Sequence, residues 1–359
     1  MANAHSNPKI LIAPLNWGLG HATRCMPLID ELLRQGADVS LASDGAALHL
    51  LQKEYPGLPA FQLPAFDIQY PTSNMGFNML SQTNKIRKAI RADHRALEQI
   101  VAEQNFQAII SDNRFGCYHA STYNIFMTHQ LNIKAPFRLA EKLIARWNKK
   151  MIQAFDFCWV PDYENAPRLS GDLSFPAPID NVRYIGALSR FKIKDEPDNV
   201  RDVLVILSGP EPQRTYLETA ILQQAKQLNY SFLIVRGKME DSSRKKTEAH
   251  IEVVGHLTSK DLNAAINNSK YIVSRSGYST IMDLAALEKV AILIPTPGQT
   301  EQEYLGRHFH ENGVFLNQNQ KDLDLGKALE EVSQFSGFNV DRRGEDLLQR
   351  AVRDLMGRF

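Results

Sequence analysis

Two stretches of this chain set polar and ionisable residues where they could handle a charged ligand. The first is Gly18-Leu19-Gly20-His21, shortly after the apolar run 10–13 and directly before a helical pattern. A glycine turn between a strand and a helix lets main-chain N–H groups approach an anion, and the helix start adds a favourable dipole. An imidazole held at such a turn can take a proton from a hydroxyl. The same loop admits a dinucleotide reading, because Asp44 ends the next strand where a ribose-binding acid would sit. The fingerprint is incomplete, with Thr23 at the third glycine position. It also admits a plainer reading, a tight turn with His21 as an incidental cap. Two further groups follow strand-like runs: Asp112, after 108–111, and His129, in Phe126-Met127-Thr128-His129. His21 and Asp112 are the candidate bases, with His129 beside them on the acceptor side. Each of the three could equally be a capping or buried polar group.

The second stretch is Arg275-Ser276-Gly277-Tyr278-Ser279-Thr280, between the end of an apolar strand and the helical pattern 281–287. Ser276 or Ser279 can cap that helix, and Gly277 lets the backbone come close to a phosphate. Asp283 lies seven residues beyond Ser276, about two turns on, near the same face. Amides for phosphate and a carboxylate for ribose hydroxyls suit a nucleoside diphosphate, and the plain alternative is a capped helix with a solvated Asp. Downstream, Gln299, Thr300, Glu301, Gln302 and Glu303 offer the amides and acids that sugar hydroxyls need. Upstream, Gly255-His256-Leu257 ends another strand at the sheet edge where ligands bind in α/β folds.

Two segments of similar plan must position these residues. Residues 9–44 read as strand, glycine turn, helix, strand, and residues 202–237 repeat the plan, with Ser208-Gly209-Pro210 as the turn. Short continuous apolar strands alternating with helices indicate parallel sheets covered on both faces. The fold class is therefore α/β, with two Rossmann-like domains. Residues 183–202 lose the apolar period and gain charge and proline, as linkers do. The first domain is expected at 8–187, the second at 200–336, and a terminal helix at 342–359.

The bulk properties narrow the classes. At 359 residues the chain suits two domains, and a net charge of +1 gives no reason to expect a nucleic-acid partner. Three cysteines far apart, Cys25, Cys117 and Cys158, form no zinc ribbon and suit a reducing compartment. No apolar run reaches the roughly 18 residues of a membrane span, and the start has no apolar export core. These features lead to the expectation of a cytoplasmic protein.

The segment RSGYSTIMDLAALEKVAILIPTPGQTEQEY resembles the signature of glycosyltransferase family 28, and the Gly-x-Gly-His loop resembles that family's amino-terminal loop. The family's best-known member is the N-acetylglucosaminyltransferase that builds a lipid-linked cell-envelope precursor. The resemblance implies the GT-B arrangement, two facing Rossmann-like domains with the active site in the cleft between them and the final helix returning to the first domain. It implies a UDP-sugar donor, with Arg275, Ser276 and Gly277 near the diphosphate and Asp283 on the ribose. His256 and Leu257 would lie beside the uracil. Ser208, Gly209, Gly255, Ser279 and Thr280 complete the expected nucleotide site, and Gln299, Thr300, Gln302 and Glu303 the sugar site. Gly18, Gly20, His21 and His129 fall on the acceptor side. Two departures stand out: Ser208-Gly209-Pro210-Glu211-Pro212 has fewer glycines than the family's loop, and Glu303 occupies the second Gln position.

The family inverts the anomeric carbon, which needs a base for the acceptor and charge relief for departing UDP. The chain shows no D-x-D metal motif, so the expected metal is none and the expected cofactor is none; a helix start and Arg275 would stabilise the leaving group. Residues 134–152 place Phe137, Ala140, Ile144, Trp147 and Met151 on one helical stripe among lysines and arginines. Such a helix can lie on anionic lipid at the inner face of a membrane, which would suit a lipid-linked acceptor, or its stripe can simply pack on the core. Three other functions stay open: a UDP-sugar hydrolase of a sialic-acid-like pathway, which shares Gly20-His21 followed by Arg24-Cys25; an NAD(P) oxidoreductase; and a non-catalytic nucleotide-sugar-binding protein.

Overall fold

The computed structural model describes residues 7–65, 75–134, 138–194, 201–238, 241, 243–338 and 346–359. It divides into two compact units, Met1–Ser189 with Arg342–Phe359, and Arg190–Asp341.

The first unit runs β1 (Lys9–Pro14), α1 (Gly20–Arg34), β2 (Asp38–Ser43), α2 (Gly45–Glu54), β3 (Ala60–Gln62), α3 (Met75–Gln104), β4 (Ala108–Asp112), β5 (Tyr123–Met127), α4 (Arg138–Ile152), β6 (Phe157–Val160) and β7 (Val182–Tyr184). The sheet order is β3-β2-β1-β4-β5-β6-β7, and every pairing is parallel. The sequence explains this arrangement: five of the six β1 residues are buried, as a strand covered on both faces requires. In α1 the buried face runs through Cys25, Met26, Leu28, Ile29 and Leu32. Leu33, beside Leu32 in sequence, is 38% exposed.

The second unit runs β8 (Arg201–Ile206), α5 (Gln213–Ala225), β9 (Phe232–Val235), β10 (Arg244–Glu248), β11 (Ile251–Val254), α6 (Ser259–Asn267), β12 (Ser269–Ser274), α7 (Tyr278–Ala286), β13 (Ala291–Leu293), α8 (Thr300–Glu311), β14 (Leu316–Asn317) and α9 (Leu325–Glu331). Its order is β10-β11-β9-β8-β12-β13-β14. All pairs are parallel except β10 on β11. That edge strand, Arg-Lys-Lys-Thr-Glu, is exposed throughout, and its charges discourage further strand pairing. The core gathers Val203, Val205, Phe232, Ile234, Val273 and Ile292 from the strands, with Leu217, Ile221 and Leu329 from the helices.

The last helix, α10 (Leu347–Met356), belongs to the first unit. Asp346 caps it by accepting from Leu348 N at 2.9 Å, and Leu348, Ala351, Val352 and Leu355 are buried. Gln35, just after α1, donates to the Gln349 carbonyl at 3.0 Å, and Arg183 pairs with Asp354 at 2.6 Å.

Both units have the doubly wound order in which the connection reverses direction beside the first strand. The reversal falls between β1 and β4 in one unit and between β8 and β12 in the other. Ligands of such sheets bind outside the strand carboxyl ends at that point. Among the described residues no helix is long and apolar enough to cross a membrane.

Candidate active site

In the first unit β1 and β4 are in register with Pro14 opposite Asp112, so the loop after β1 and the end of β4 meet at the reversal point. Gly18 takes a φ of +77°, a backbone conformation open to glycine, and the chain then enters α1 at Gly20. This turn brings His21 Nδ1 to 3.1 Å from Asp112 Oδ1. Arg24, one helical turn beyond His21, donates from Nε to Asp112 Oδ2 at 2.7 Å and pairs through Nη2 with Oδ1. Its Nη2 also lies 2.9 Å from His21 Nδ1, and its Nη1 lies 3.2 Å from His129 Nδ1. Cys25 Sγ donates to Asp112 Oδ2 at 3.6 Å.

Exposure separates the roles within this cluster. Asp112 is 0% exposed, Arg24 3% and His129 4%, whereas the His21 side chain keeps 14%. Burial alone would raise the Asp112 carboxyl, but the Arg24 guanidinium and His21 outweigh it and hold the group well below the usual carboxylate range. Asp112, expected as an alternative base, thus lies beneath His21 as a buried carboxylate. Its oxygens are committed to Arg24, His21 and Cys25, and no part of it reaches solvent. His129 likewise sits buried on Arg24.

A second buried cluster surrounds Asp44. Arg114 donates to Asp44 at 2.8 Å, to both oxygens of Asp93 at 2.8 and 3.1 Å, and to the Pro64 carbonyl at 2.8 Å. Asn16 donates to the other Asp44 oxygen at 3.0 Å and accepts from Ala47 N. Asp44 is 2% exposed, and its two oxygens hold Arg114 and the Asn16 side chain of the loop after β1.

In the second unit the loops after β8, β12 and β13 lie side by side at the carboxyl edge. Gly209, after β8, has a φ of +98°, and a Cβ there would approach Thr296 Oγ1 at 3.5 Å. Gly277 is the residue before α7, and a Cβ on it would meet no protein atom within 4 Å, so the helix start faces open space. Ser276 does not cap α7, contrary to expectation. It is fully buried and donates to the Gln302 carbonyl at 2.7 Å, and α7 has no side-chain cap. Ser279 and Thr280, in the first turn of α7, are half-buried.

Arg275 also departs from expectation. Its guanidinium is 1% exposed and donates to the carbonyls of Ile294 and Pro295, each at 3.1 Å, to the Gln213 carbonyl at 2.9 Å and to Gln320 Oε1 at 2.7 Å. Burial lowers it to about 10. Arg275 thus braces three loops from behind through these contacts.

Asp283 is half-buried on α7 and lines a small cavity of 50 Å³ with Phe191, Ile206, Leu262, Ile266, Thr280 and Leu284. Gln302 accepts from Thr296 N at 2.8 Å and donates to Gln299 Oε1 at 2.7 Å, while Glu303 accepts from Gly298 N at 2.8 Å. Gln299 is the residue before α8, and Thr300 begins it. His256 and Leu257 are half-buried after β11, and Thr258 caps α6 by accepting from Asp261 N at 3.2 Å. Gly255 must be glycine because a Cβ would collide with Asp241.

Sequence reading gave Arg24 only as a feature of the hydrolase alternative and missed Asn16, Arg114 and Asp93. The His21-x-x-Arg24 spacing was the available signal for Arg24, since residues three apart share a helix face.

Among the described residues no three His, Cys, Asp or Glu side chains converge as a metal site. On α4, Asn148 and Ile152 are buried and Trp147 packs on Phe115 at a ring distance of 5.1 Å. Lys142, Leu143, Arg146, Lys149 and Lys150 are exposed, Leu143 by 60%. Phe137, expected on the apolar stripe, lies outside the described residues.

Two parallel-sheet units of this order, with glycine turns at their ligand-binding edges, define a GT-B-type α/β protein. Residues 203–346 match the glycosyltransferase family 28 C-terminal domain. An uncharacterized glycosyltransferase of Methanosarcina acetivorans is 23% identical over 375 residues, covering 97% of this chain and 95% of that one. A 44-residue stretch is 50% identical to the UDP-N-acetylglucosamine–N-acetylmuramyl-(pentapeptide) pyrophosphoryl-undecaprenol N-acetylglucosamine transferase of Methylobacterium radiotolerans, 12% of each chain. The fold is similar to that of MurG from Acinetobacter baumannii, with a TM-score of 0.59 at 11% identity over 98% of this chain and 100% of that one. Residues 203–346 thus carry a glycosyltransferase family 28 C-terminal domain, and the fold is of the GT-B type.

Proposed function

We propose that the chain moves a hexose or N-acetylhexosamine from a UDP-sugar to an acceptor hydroxyl, with inversion at the anomeric carbon. The carrying observation is the His21–Asp112 pair at the β1/β4 reversal, whose histidine alone among the clustered groups retains real exposure. With Nδ1 engaged by Asp112, Nε2 is the nitrogen left to take the acceptor's proton. The acceptor oxygen then forms its bond to the anomeric carbon as the bond to the diphosphate oxygen breaks, and UDP leaves with the electron pair. The open helix start at Gly277 supports a diphosphate site in the second unit, where N–H groups and the α7 dipole would stabilise the departing charge without a metal. Asp283 would hold the ribose. The short match to a UDP-N-acetylglucosamine-dependent enzyme supports the uridine donor.

The acceptor is proposed to be lipid-linked, on the strength of the exposed face of α4, where Leu143 stands among four cations. Arg24 and Cys25 on Asp112 favour a second reading, hydrolysis of the same donor with water in the acceptor's place. The deciding experiment offers a panel of UDP-sugars with and without lipid extract and scores UDP release and product mass. Lipid-dependent glycosylated product supports transfer, and free sugar alone supports hydrolysis. Release that vanishes in excess chelator and returns with Mn²⁺ or Mg²⁺ would overturn the metal-free account of the leaving group.

A further inference from the structure

We propose that the Thr296 hydroxyl is a phosphate contact of the donor site, donating a hydrogen bond to the phosphate that carries the sugar. The inference rests on the reading of the second unit as the UDP-sugar site and adds to it a residue of the loop after β13. The strands β8, β12 and β13 end level, with Ile206, Ser274 and Leu293 in register. Neighbouring strands lie about 4.8 Å apart, so β8 and β13 stand about 10 Å from each other on either side of β12. Gly209 and Thr296 follow those two outer strands, yet a Cβ on Gly209 would have Thr296 Oγ1 at 3.5 Å. The two loops therefore converge over the end of β12, where the chain turns through Gly277 into α7.

Thr296 is 2% exposed, and its main chain is fully used: N donates to Gln302 Oε1 at 2.8 Å and the carbonyl accepts from Gln299 N at 3.1 Å. Its hydroxyl alone has no hydrogen-bond partner among the described residues, and Ser274 Oγ at the end of β12 is in the same condition. A buried hydroxyl without a partner weakens a fold, so it points to a partner that the protein itself does not supply. Of the two, Thr296 is the one that faces a glycine of a ligand loop. Apart from its chain neighbours, the Gly209 Cβ position has Thr296 Oγ1 as its single neighbour within 4 Å among the described residues. A ligand oxygen seated against the Gly209 backbone would therefore meet this hydroxyl.

The chemistry at this point suits an anion. The nine-residue helix α7 presents its positive end and its first N–H groups there. Arg275 spends both terminal nitrogens on protein acceptors, so a neutral O–H is the donor that remains at the loop after β13. With the ribose on Asp283 and the sugar toward Gln302, the phosphate that passes this loop is the one bonded to the sugar. The hydroxyl donates to its oxygen without giving up the proton.

The test is calorimetric binding of UMP and UDP to the full chain, beside a melt of each variant. Thr296→Val keeps the shape of the side chain and removes the hydroxyl. UDP affinity should fall about tenfold or more, the loss expected for a hydrogen bond to a charged group, while UMP affinity stays near wild type. The melting temperature should hold or rise, because a methyl replaces a buried group that had no partner. A hydroxyl with only a structural role predicts the reverse, a lower melting temperature at unchanged UDP affinity, and that result overturns the proposal. Equal losses for UMP and UDP also overturn it, since the contact would not be to the outer phosphate.

Should Thr296→Val fail to fold, Thr296→Ser and Thr296→Ala decide the matter, because both lack the methyl and they differ only in the hydroxyl. Tighter UDP binding by Thr296→Ser than by Thr296→Ala supports the proposal, and equal affinities overturn it. A wild-type chain that binds no UDP overturns the donor reading and this proposal together. Wild-type UDP binding that Thr296→Val leaves intact overturns the proposal alone.

Discussion

Ser276 Oγ donates to the main-chain carbonyl of Gln302 at 2.7 Å, tying the loop before α7 to the first turn of α8 across 26 residues of sequence. Two loops that the sequence presents as separate ligand-binding patches are in this way one mechanical unit. Arg275 strengthens the connection by donating to the carbonyls of Ile294 and Pro295 just upstream of α8.

Ser276→Ala should therefore act on both loops together. Losing one buried hydrogen bond costs about 1 kcal/mol of stability, and the carbonyl left behind adds to it. A melt should show this loss, and calorimetry should show weaker UDP binding even though the serine oxygen points away from solvent. Unchanged UDP affinity at reduced stability would mean that the two loops do not share the nucleotide.

Asp283→Ala tests the ribose contact more directly. A charge-assisted bond from a carboxylate to ribose hydroxyls contributes on the order of 1.5–3 kcal/mol. UDP affinity should fall by the corresponding factor, while the melt stays near wild type because the side chain is half-exposed beside a small cavity. Calorimetry that finds wild-type affinity would take Asp283 out of the site.

The apolar runs made both sheets legible, because parallel strands buried on two faces have no room for alternation; β1, β4 and β9 show this plainly. The glycine turn and His21 were legible for the same local reason. What escaped was long-range charge pairing. Arg24 meets Asp112 from 88 residues away only because β1 and β4 pair in parallel with Pro14 opposite Asp112. Arg114 reaches Asp44 across 70 residues under the same constraint. The surroundings of Arg275 escaped for a related reason. An arginine beside a glycine turn has the composition of a phosphate site, yet its two terminal nitrogens donate to four protein acceptors.

The depressed Asp112 carboxyl predicts an acid-labile first unit. Its folded value lies below its unfolded one, so the stability it confers is complete above the ordinary carboxylate range and is lost as pH falls from there toward the folded value. Melting temperatures of the wild-type chain should drop between about pH 4 and pH 2.5. Asp112→Asn should be less stable at neutral pH, because Arg24 is left buried without its counter-charge, and its melt should change less over the acid range. Parallel acid profiles for the two proteins would show that the ion pair does not govern the acid transition.

His21→Ala separates chemistry from binding. The imidazole stands at the start of α1, backed by a carboxylate that cannot itself reach a ligand, and general-base catalysis contributes about 10²–10⁴-fold. Turnover should fall by that order while UDP affinity, assigned to the second unit, stays near wild type. Water as acceptor needs the same base, so the variant must be scored by product as well as by UDP release. Loss of glycosylated product and free sugar together would place His21 in the shared proton-transfer step. Loss of product alone, with donor hydrolysis intact, would place it in acceptor recognition. Joint collapse of turnover and UDP affinity would instead assign the histidine to holding the loop after β1, a role to be checked by the melt of the same variant. Normal turnover would require another base, and the buried, fully committed oxygens of Asp112 make it a poor replacement without movement of Arg24.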